Sequence, residues 1–361
     1  MATSRRAGQP QLRLRPPLAL EAPDAGWRCP ALRLRRGLEV YIRRRARLGS
    51  CIILLLLLPI PSSSIPLFHP PPSLPPPSPT MPSSTIATGL STPQAPPALP
   101  DNVLALFSLK GKVACISGAS SGIGHAVARA FAQAGADIAV WYNSHDSLIQ
   151  DAQQWAAEFG VRARAYKCPV TDEARVKATI AQVVQDFGRI DVFVANAGVP
   201  WEKGPLLEAE ERGEAADEWQ RVLHTDFQGV YYCSKHAGAV FKRQGRGSLV
   251  ITASMSGHVV NVPQLQTCYN AVKAGVLHMA RSLAVEWAGF ARVNTVSPGY
   301  IATPISVFAE DATKQRWHEL TPLGREGLPQ ELVGAYLYLA SDASTFTTGS
   351  DIVVDGGYCA M

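Results

Sequence analysis

Apolar and polar positions alternate in a regular way along most of the chain. A short apolar run, "KVACISG", has the composition of a buried strand, and the segment after it carries Ile123, Val127 and Phe131 at helical spacing. The next apolar run, "DIAVWY", predicts a second strand. The alternation continues to the end of the sequence and is typical of a parallel sheet covered by helices on both faces.

This pattern predicts seven strands in one α/β domain, which we place at residues 101–361. The strands are expected at 112–118, 137–142, 162–167, 191–195, 248–252, 292–297 and 351–354. Helices are expected at 122–135, 144–159, 172–187, 216–243, 269–288 and 331–341. The predicted fold is a seven-stranded parallel sheet with helices on both faces.

Residues 1–100 have a different composition. An arginine-rich stretch is followed by the apolar run "CIILLLLLPI" and a proline- and serine-rich tract, without a periodic pattern that could form a core. The apolar run is about half the ~20 residues that a membrane-spanning helix needs, so we expect no membrane anchor. Three interpretations stay open: a mitochondrial transit peptide, a disordered tail, or upstream sequence before a true start at Met81.

The net charge is unevenly distributed. The chain carries +5, but residues 1–80 contain twelve arginines and only three acidic residues. The remainder carries a net charge of −4, so we expect no nucleic-acid partner. The seven cysteines form neither a CxxC pair nor a Cys/His cluster, which predicts no metal site and a reducing compartment. That compartment is the cytoplasm, or the mitochondrion if the leader is a transit peptide.

The first predicted strand runs into a glycine-rich turn, "SGASSGIG", with Gly118, Gly122 and Gly124 just before a helix. Glycines at such a turn let the backbone approach a pyrophosphate, whose charge then lies at the helix N-terminus. The spacing is GxxxGxG and not the commoner GxGxxG. At this point a tight connection between strand and helix is an equal interpretation.

The residues after the second predicted strand indicate which dinucleotide would fit. "VWYNSHD" offers Asn143 and Ser144 where an acidic residue would bind the ribose hydroxyls of NAD. A carboxylate repels a phosphate on that ribose and neutral polar groups tolerate it, so the sequence favours NADP(H). After the fourth strand, "ANAG" brings Asn196 to the same edge of the sheet, beneath the adenine ribose.

A tyrosine and a lysine one helical turn apart form the candidate catalytic pair. Tyr269 and Lys273 in "CYNAVKAG" face the same way on a helix, where the ammonium can lower the phenol pKa toward working pH. Such a tyrosine can give a proton to a carbonyl oxygen or take one from an alcohol. Ser254, where "ITASMSG" leaves its strand, can hold that carbonyl.

With SGxxxGIG, NAG, the serine, YxxxK and "PGYIAT" in place, the chain from about Leu106 to Met361 resembles the short-chain dehydrogenase/reductase family. The resemblance implies a single Rossmann-like domain, commonly assembled as a homotetramer. It also implies contacts between the cofactor and residues of these motifs: Ile123 over the cofactor, Asp172 at the adenine, Asn196 at the ribose, Tyr269 and Lys273 beside the nicotinamide ribose, and Ile301 and Thr303 at the carboxamide end.

Within the family, "WYNS", "DVFVANAG", "ITASMSGH" and "DIVVDGGY" look like the fungal sorbose reductases and the related NADP-dependent mannitol dehydrogenases and L-xylulose reductases. That similarity implies reversible, NADPH-dependent reduction of a ketose, such as L-sorbose or D-fructose, to its polyol. Two other functions stay open: reduction of a bulkier ketone by the same machinery, and a non-catalytic NADP-binding sensor. A homodimer or homotetramer would form through the helices expected at 216–243 and 269–288.

The sequence departs from the family pattern at two places. Asp226 stands where an asparagine often completes a proton relay, and the sequence assigns it no role. The catalytic serine is the other departure, because Ser256 stands at the frequent spacing of thirteen residues before Tyr269 and Ser254 stands at fifteen. Alignment on Gly257 favours Ser254.

Candidate substrate contacts lie in the loops around these residues. The loop before the tyrosine and the segment after NAG supply polar and aromatic side chains, namely His258, Asn261, Gln264, Gln266, Trp201 and Glu202. Residues 305–327 are predicted to form a mobile lid with a short helix, in which Trp317 and Phe308 could cover the substrate.

Overall fold

The computed structural model describes residues 96–307 and 309–361. The expectations for the arginine-rich leader, its apolar run and a start at Met81 lie outside the described residues, as does the expected substrate contact of Phe308. None of the helices among the described residues combines the length and apolarity needed to cross a membrane.

Seven parallel strands form one sheet in the order β3-β2-β1-β4-β5-β6-β7. They are β1 (Val113–Ile116), β2 (Asp137–Tyr142), β3 (Ala163–Lys167), β4 (Val192–Ala195), β5 (Ser248–Thr252), β6 (Arg292–Pro298) and β7 (Asp351–Val354). Each coincides with a predicted strand to within about two residues at either end, so the predicted fold class is confirmed.

Helices cover both faces of the sheet. Ten α-helices occur among the described residues: α1 (Val103–Leu106), α2 (Gly122–Gln133), α3 (Leu148–Phe159), α4 (Glu173–Phe187), α5 (Leu206–Glu211), α6 (Ala215–Leu223), α7 (Gly229–Gln244), α8 (Thr267–Glu286), α9 (Asp311–Leu320) and α10 (Pro329–Ala340). A π-helical turn, His224–Gln228, joins α6 to α7, and a short 3-10 turn, Met255–Gly257, follows β5.

Three helical predictions need correction. The helix expected at 216–243 is two helices, because the π-helical turn interrupts it. The helix expected from residue 144 begins at Leu148, because the preceding residues form a bend at the end of β2. Helix α5 was not predicted, since its six residues are too few to show a helical period.

Strand β1 shows why the sequences of the central strands are continuous apolar runs. Val113 and Cys115 pack into a core with α4, α7 and α8, whereas Ala114 and Ile116 pack into a second core with α2, α3 and α10. All four side chains are buried, so neither face of the strand needs a polar residue. The burial of both faces fixes β1 at the centre of the domain.

The strand order reverses beside β1. The chain crosses from β3 at one edge of the sheet back to β4, which pairs with β1 through Cys115 and Phe193. Connections therefore leave β1 and β4 in opposite directions, and a crevice opens beyond their carboxyl ends. Ligands bind at such a switch point in open α/β sheets.

Candidate active site

A cleft of about 400 Å³ occupies this crevice. Two sides are the glycine turn after β1 and the end of β2, and a third is the loop after β4. Of the residues predicted to bind the cofactor, those that line the cleft are Gly118, Gly122, Ile123, Asn143, Ser144, Asn196 and Thr303. The remaining ones are Gly124 beneath the turn, Asp172 at the start of α4, Tyr269 and Ile301 in a neighbouring pocket, and Lys273, which is buried on α8.

The glycine turn is shaped by close backbone contacts. Gly118 has a φ of +63°, and a Cβ built on it would lie 2.7 Å from the Ala197 Cα. Gly124 is buried beneath the turn, where a Cβ would lie 2.3 Å from the Gly118 carbonyl oxygen. Helix α2 then begins at Gly122 with no side chain capping its first amides. These free amides and the glycine surface fit a pyrophosphate.

Asn196 holds the turn in place. Its Nδ2 donates to the carbonyl oxygens of Ser117 and Gly118, both at 3.1 Å, and its Oδ1 accepts from Thr252 Oγ1 at 3.0 Å. Its backbone amide donates to Ser117 Oγ at 3.0 Å. The side chain predicted to contact ribose therefore joins the ends of β1, β4 and β5 while it also lines the cleft.

The end of β2 forms the far wall of the cleft. Asn143, Ser144 and His145 all line it, and the residues that line it include no lysine, arginine, aspartate or glutamate. The expected adenine contact of Asp172 needs correction, because its carboxylate caps α4 by accepting from the Arg175 amide at 3.0 Å. Pro169, Val170 and Thr171 line the cleft in its place.

A second pocket of about 110 Å³ adjoins the cleft through shared residues such as Ile123 and Thr303. It contains Ser254 and Tyr269, and also Ile301, which was expected at the carboxamide end of the cofactor. The structure thus brings the predicted catalytic side chains to one end of the nucleotide cleft.

The two candidate serines have different partners. Ser254 Oγ accepts from the Ser256 amide at 3.1 Å, and Ser254 lowers the pKa of the Tyr269 phenol. The Ser256 hydroxyl accepts from Gln266 Nε2 at 3.1 Å instead. Both serines line the pocket beside Tyr269, but Ser254 is the one that acts on the pKa of the phenol.

Lys273 lies one turn after Tyr269 on α8. Its Nζ lies 5.3 Å from the centroid of the Tyr269 ring and donates to the Thr252 carbonyl at 3.2 Å. Burial lowers the pKa of Lys273, but Tyr269 and Asp226 outweigh that effect and raise the pKa above its usual value. The ammonium therefore keeps its charge in the interior.

The ionisation of Tyr269 differs from the expectation. Burial raises the pKa of the phenol, Asp226 raises it further, and Lys273 and Ser254 lower it. The net direction is upward, so the idea that Lys273 brings this pKa down toward working pH is wrong for the free protein. The lysine acts in the expected direction, but burial of the tyrosine is the larger effect.

Asp226 is fully buried in the π-helical turn. Its Oδ1 accepts from the Val199 amide at 2.8 Å, and its Oδ2 lies 3.1 Å from Lys273 Nζ. Burial raises the pKa of this carboxyl, and Lys273 opposes the rise. The sequence marked Asp226 as unusual but gave no sign of this ion pair.

The residues predicted to contact the substrate lie in different places in the structure. Gln264, Gln266 and Trp317 line the second pocket. Asn261 is buried behind them, where its Nδ2 donates to the Tyr300 hydroxyl at 3.2 Å and its Oδ1 accepts from Gln266 Nε2 at 2.8 Å. These amides therefore form a linked polar wall.

Three other candidates do not line either pocket. His258 Nε2 lies 2.8 Å from a carboxylate oxygen of Asp351. Trp201 is buried in a separate cluster and donates to the Gly204 carbonyl at 2.7 Å. Glu202 is exposed, and its backbone amide donates to Glu218 at 3.2 Å. Their contact with the substrate stays a prediction, which the partners of His258 and Trp201 do not favour.

Helix α9 closes the second pocket. Trp317 is buried and stacks on Tyr300 with the ring centroids 4.0 Å apart and the planes within 6°. Its indole nitrogen has no hydrogen-bond partner among the residues that the structure describes. Tyr300 belongs to the PGYIAT motif, but the motif alone does not reveal the contact of its hydroxyl with Asn261.

Comparison with known proteins agrees with this geometry. A family model described as enoyl-(acyl carrier protein) reductase matches residues 118–359. A probable NADP-dependent mannitol dehydrogenase from Yarrowia lipolytica is 58% identical over 277 residues, which cover 76% of this chain and 98% of that protein. A sorbose reductase from Candida albicans is 58% identical over 267 residues, which cover 74% and 93%.

A solved structure is also similar. The NADPH-dependent 3-quinuclidinone reductase from Rhodotorula rubra is 42% identical with a TM-score of 0.70, and the match covers 74% of this chain and 99% of that one. The residues that the family model matches include Gly118, Gly122 and Gly124 of the glycine turn, the serine and the tyrosine–lysine pair. The chain therefore belongs to the short-chain dehydrogenase/reductase family.

Proposed function

We propose that the protein is an NADP-dependent oxidoreductase that reduces a ketose to its polyol and catalyses the reverse reaction. The observation that carries this proposal is that Ser254 and Tyr269 line one pocket at the end of a dinucleotide cleft, with the Nζ of buried Lys273 5.3 Å from the centroid of the Tyr269 ring. Its relatives support the substrate class, since they are named as a mannitol dehydrogenase and a sorbose reductase.

The cleft fits NADP(H). The open amides of α2 and the surface of Gly118 would hold the pyrophosphate, and Asn143 and Ser144 would lie at the adenosine ribose. A phosphate on that ribose meets no carboxylate among the residues lining the cleft. When bound, the reduced nicotinamide supplies a hydride. Ile123 and Thr303 line both pockets and would hold that ring next to the substrate.

Three side chains would carry out the proton transfer to the carbonyl oxygen. Tyr269 donates its proton to the carbonyl oxygen of the ketose, and Ser254 orients that oxygen by a hydrogen bond. Lys273 stays protonated and stabilises the phenolate that remains. In the reverse direction the phenolate takes the proton from the alcohol. This division gives each member of the set one role.

The second pocket favours a hydroxylated substrate. Its lining includes the amide side chains of Gln264 and Gln266 and the hydroxyl of Ser256. A ketose carries several hydroxyl groups that can form hydrogen bonds with a polar lining. An apolar ketone would bury this polar lining without forming such bonds.

A bulkier ketone is the second candidate substrate. The observation in its favour is the 42% identity to a 3-quinuclidinone reductase, whose named substrate is a bicyclic ketone. A non-catalytic sensor that binds NADP is a candidate of another class. The presence of Ser254 and Tyr269 in one pocket, with Lys273 beside the phenol ring, favours the enzyme over the sensor.

The test is NADPH oxidation with L-sorbose, D-fructose, L-xylulose and 3-quinuclidinone offered separately. We expect a ketose to be turned over and Tyr269→Phe to lose about 10²–10⁴-fold in rate. NADPH fluorescence should show unchanged cofactor binding in that variant. Turnover of 3-quinuclidinone alone would favour the bulkier ketone, and bound NADPH without any turnover would favour the sensor.

The protein is further proposed to assemble as a homo-oligomer, a dimer or tetramer, through α7 and α8. A groove between these helices is lined by Tyr231, Met279, Leu283, Trp287 and Phe290. A second copy of the same face would cover these side chains. Sedimentation equilibrium would give the mass of the assembly, and a monomer would contradict this part of the proposal.

A further inference from the structure

Asp226 places a carboxylate beside the lysine that this protein is proposed to use in catalysis. The π-helical turn that carries it interrupts the path from α6 to α7 and directs the side chain at α8. One oxygen is fixed by the Val199 amide at 2.8 Å and the other lies 3.1 Å from Lys273 Nζ. Both members of the pair are buried, with side chains 1% and 4% exposed.

Other charged or titratable groups act on Asp226 from two elements. On α8, Tyr269 and Lys273 interact with it, and so does the Cys268 thiol, whose pKa burial raises to about 11. On α6, Arg221 attracts it from a greater distance. The guanidinium of Arg221 is already held by Glu218 at 2.7 Å and by the Pro200 carbonyl at 2.6 Å. Lys273 is therefore the cation that pairs with Asp226.

We propose that Asp226 is a positioning residue whose negative charge balances Lys273 and keeps the proton on the Tyr269 phenol. The inference rests on the proposed function for its catalytic meaning. The ion pair itself does not depend on any substrate. An asparagine, which the family often has at this position, would keep the shape of the side chain but remove its charge.

Coulomb's law gives the direction of the effect. In the wild type, loss of the Tyr269 proton adds a second negative charge to a site that already holds Asp226 and one ammonium. Without the Asp226 carboxylate, the positive charge of Lys273 is no longer balanced and stabilises the Tyr269 phenolate more strongly. The coupled tyrosine–lysine site therefore loses its first proton at a lower pH. A unit charge removed a few ångströms away in a partly screened interior shifts such a pKa by about one unit or more.

The variant Asp226→Asn tests directly whether the charge of Asp226 controls the ionisation of Tyr269. Tyrosinate absorbance would be followed as the pH rises, within the range where circular dichroism shows the fold intact. The absorbance of Tyr269→Phe is subtracted from that of the wild type, and the absorbance of the double variant Asp226→Asn/Tyr269→Phe is subtracted from that of Asp226→Asn. Each difference then reports the Tyr269 phenol alone. We expect its tyrosinate signal to appear about one pH unit lower in Asp226→Asn. The proposal would be overturned if this tyrosinate signal appeared at the same pH with and without the Asp226 carboxylate, or at a higher pH in Asp226→Asn. It would also be overturned if the signal appeared in neither protein.

A second variant and a matched control separate charge from packing. Asp226→Ala removes the same charge without adding an amide, so it should give the same downward shift if Asp226→Asn does not fold. Glu218→Gln removes another buried carboxylate, one paired with Arg221 and not with Lys273, and should leave the onset unchanged. An equal shift in Glu218→Gln would show a general effect of charge and overturn the specific role.

The same variant changes catalysis in a way that loss of structure would not. If the protein reduces a ketose, the alkaline limb of its pH–rate profile should move down with the phenol in Asp226→Asn, by about one pH unit. A lower rate at every pH with the limb unmoved would contradict the role. Absence of ketose turnover would count against the proposed function alone, because the absorbance test needs neither substrate nor cofactor.

Discussion

One methyl group is enough to disturb the nucleotide cleft at Gly118. This residue needs both a positive φ and open space, since a Cβ would lie 2.7 Å from a backbone atom of Ala197. Gly160, at the end of α3, has nearly the same φ of +67° but nothing within 4 Å of a Cβ. A substitution at Gly160 therefore introduces backbone strain alone, whereas one at Gly118 introduces both strain and a steric clash.

We expect Gly118→Ala to weaken NADPH binding at least about tenfold, because the clash moves the turn away from the loop after β4. Gly160→Ala should show only the cost of strain, about 1 kcal/mol of unfolding free energy, with unchanged binding. NADPH fluorescence titration and chemical denaturation measure the two effects. Equal affinities in both variants would show that the turn is not part of the cofactor site.

Residue types and their spacing were enough to find the tyrosine, lysine and serine, but not their electrostatics. Burial sets the direction of the Tyr269 pKa, and burial is a property of the packed fold. The Asp226–Lys273 pair joins residues distant in sequence, so no local pattern reveals it. Asp172 could have been assigned correctly, because an aspartate just before a helix is a common N-cap.

Among the elements, the strands were the most predictable from sequence. Covering both faces of the sheet makes β1 and β4 wholly apolar, a pattern that the sequence shows directly. The π-helical turn at His224–Gln228 was missed, because one wide turn hardly changes a helical spacing of apolar residues. That turn matters, since it carries Asp226.

Helix α9 contributes to the substrate pocket through one aromatic stack. We expect Trp317→Ala to cost about 3–5 kcal/mol of stability, because it leaves a cavity beside Tyr300. It should also raise KM for the ketose about tenfold, through loss of the pocket wall. Denaturation and steady-state kinetics give both numbers.

Trp155 provides the matched control for this prediction. It is almost as buried, at 3% exposure, but lies on α3 and lines neither pocket. Trp155→Ala should therefore lose comparable stability while KM stays within about twofold. If both variants raised KM equally, the effect would come from loss of stability and not from contact with substrate.

For the whole molecule, the described fold and the matched family together account for the cleft, the catalytic set and both cores. The family model begins at residue 118, and every predicted site residue lies at or beyond it. We therefore expect a chain beginning at Met81 to match the full chain in unfolding temperature and NADPH affinity. Thermal unfolding and fluorescence titration test this. A clear loss in either would show that residues 1–80 contribute to the folded enzyme.

The most direct test of the central claim follows the hydride itself. The protein would be incubated with a ketose and NADPH carrying deuterium at both positions of nicotinamide C4, and the polyol analysed by mass spectrometry. We expect one deuterium on the carbon that was the carbonyl, with no product from Tyr269→Phe. Polyol without deuterium, or NADPH consumed without any polyol, would contradict the account.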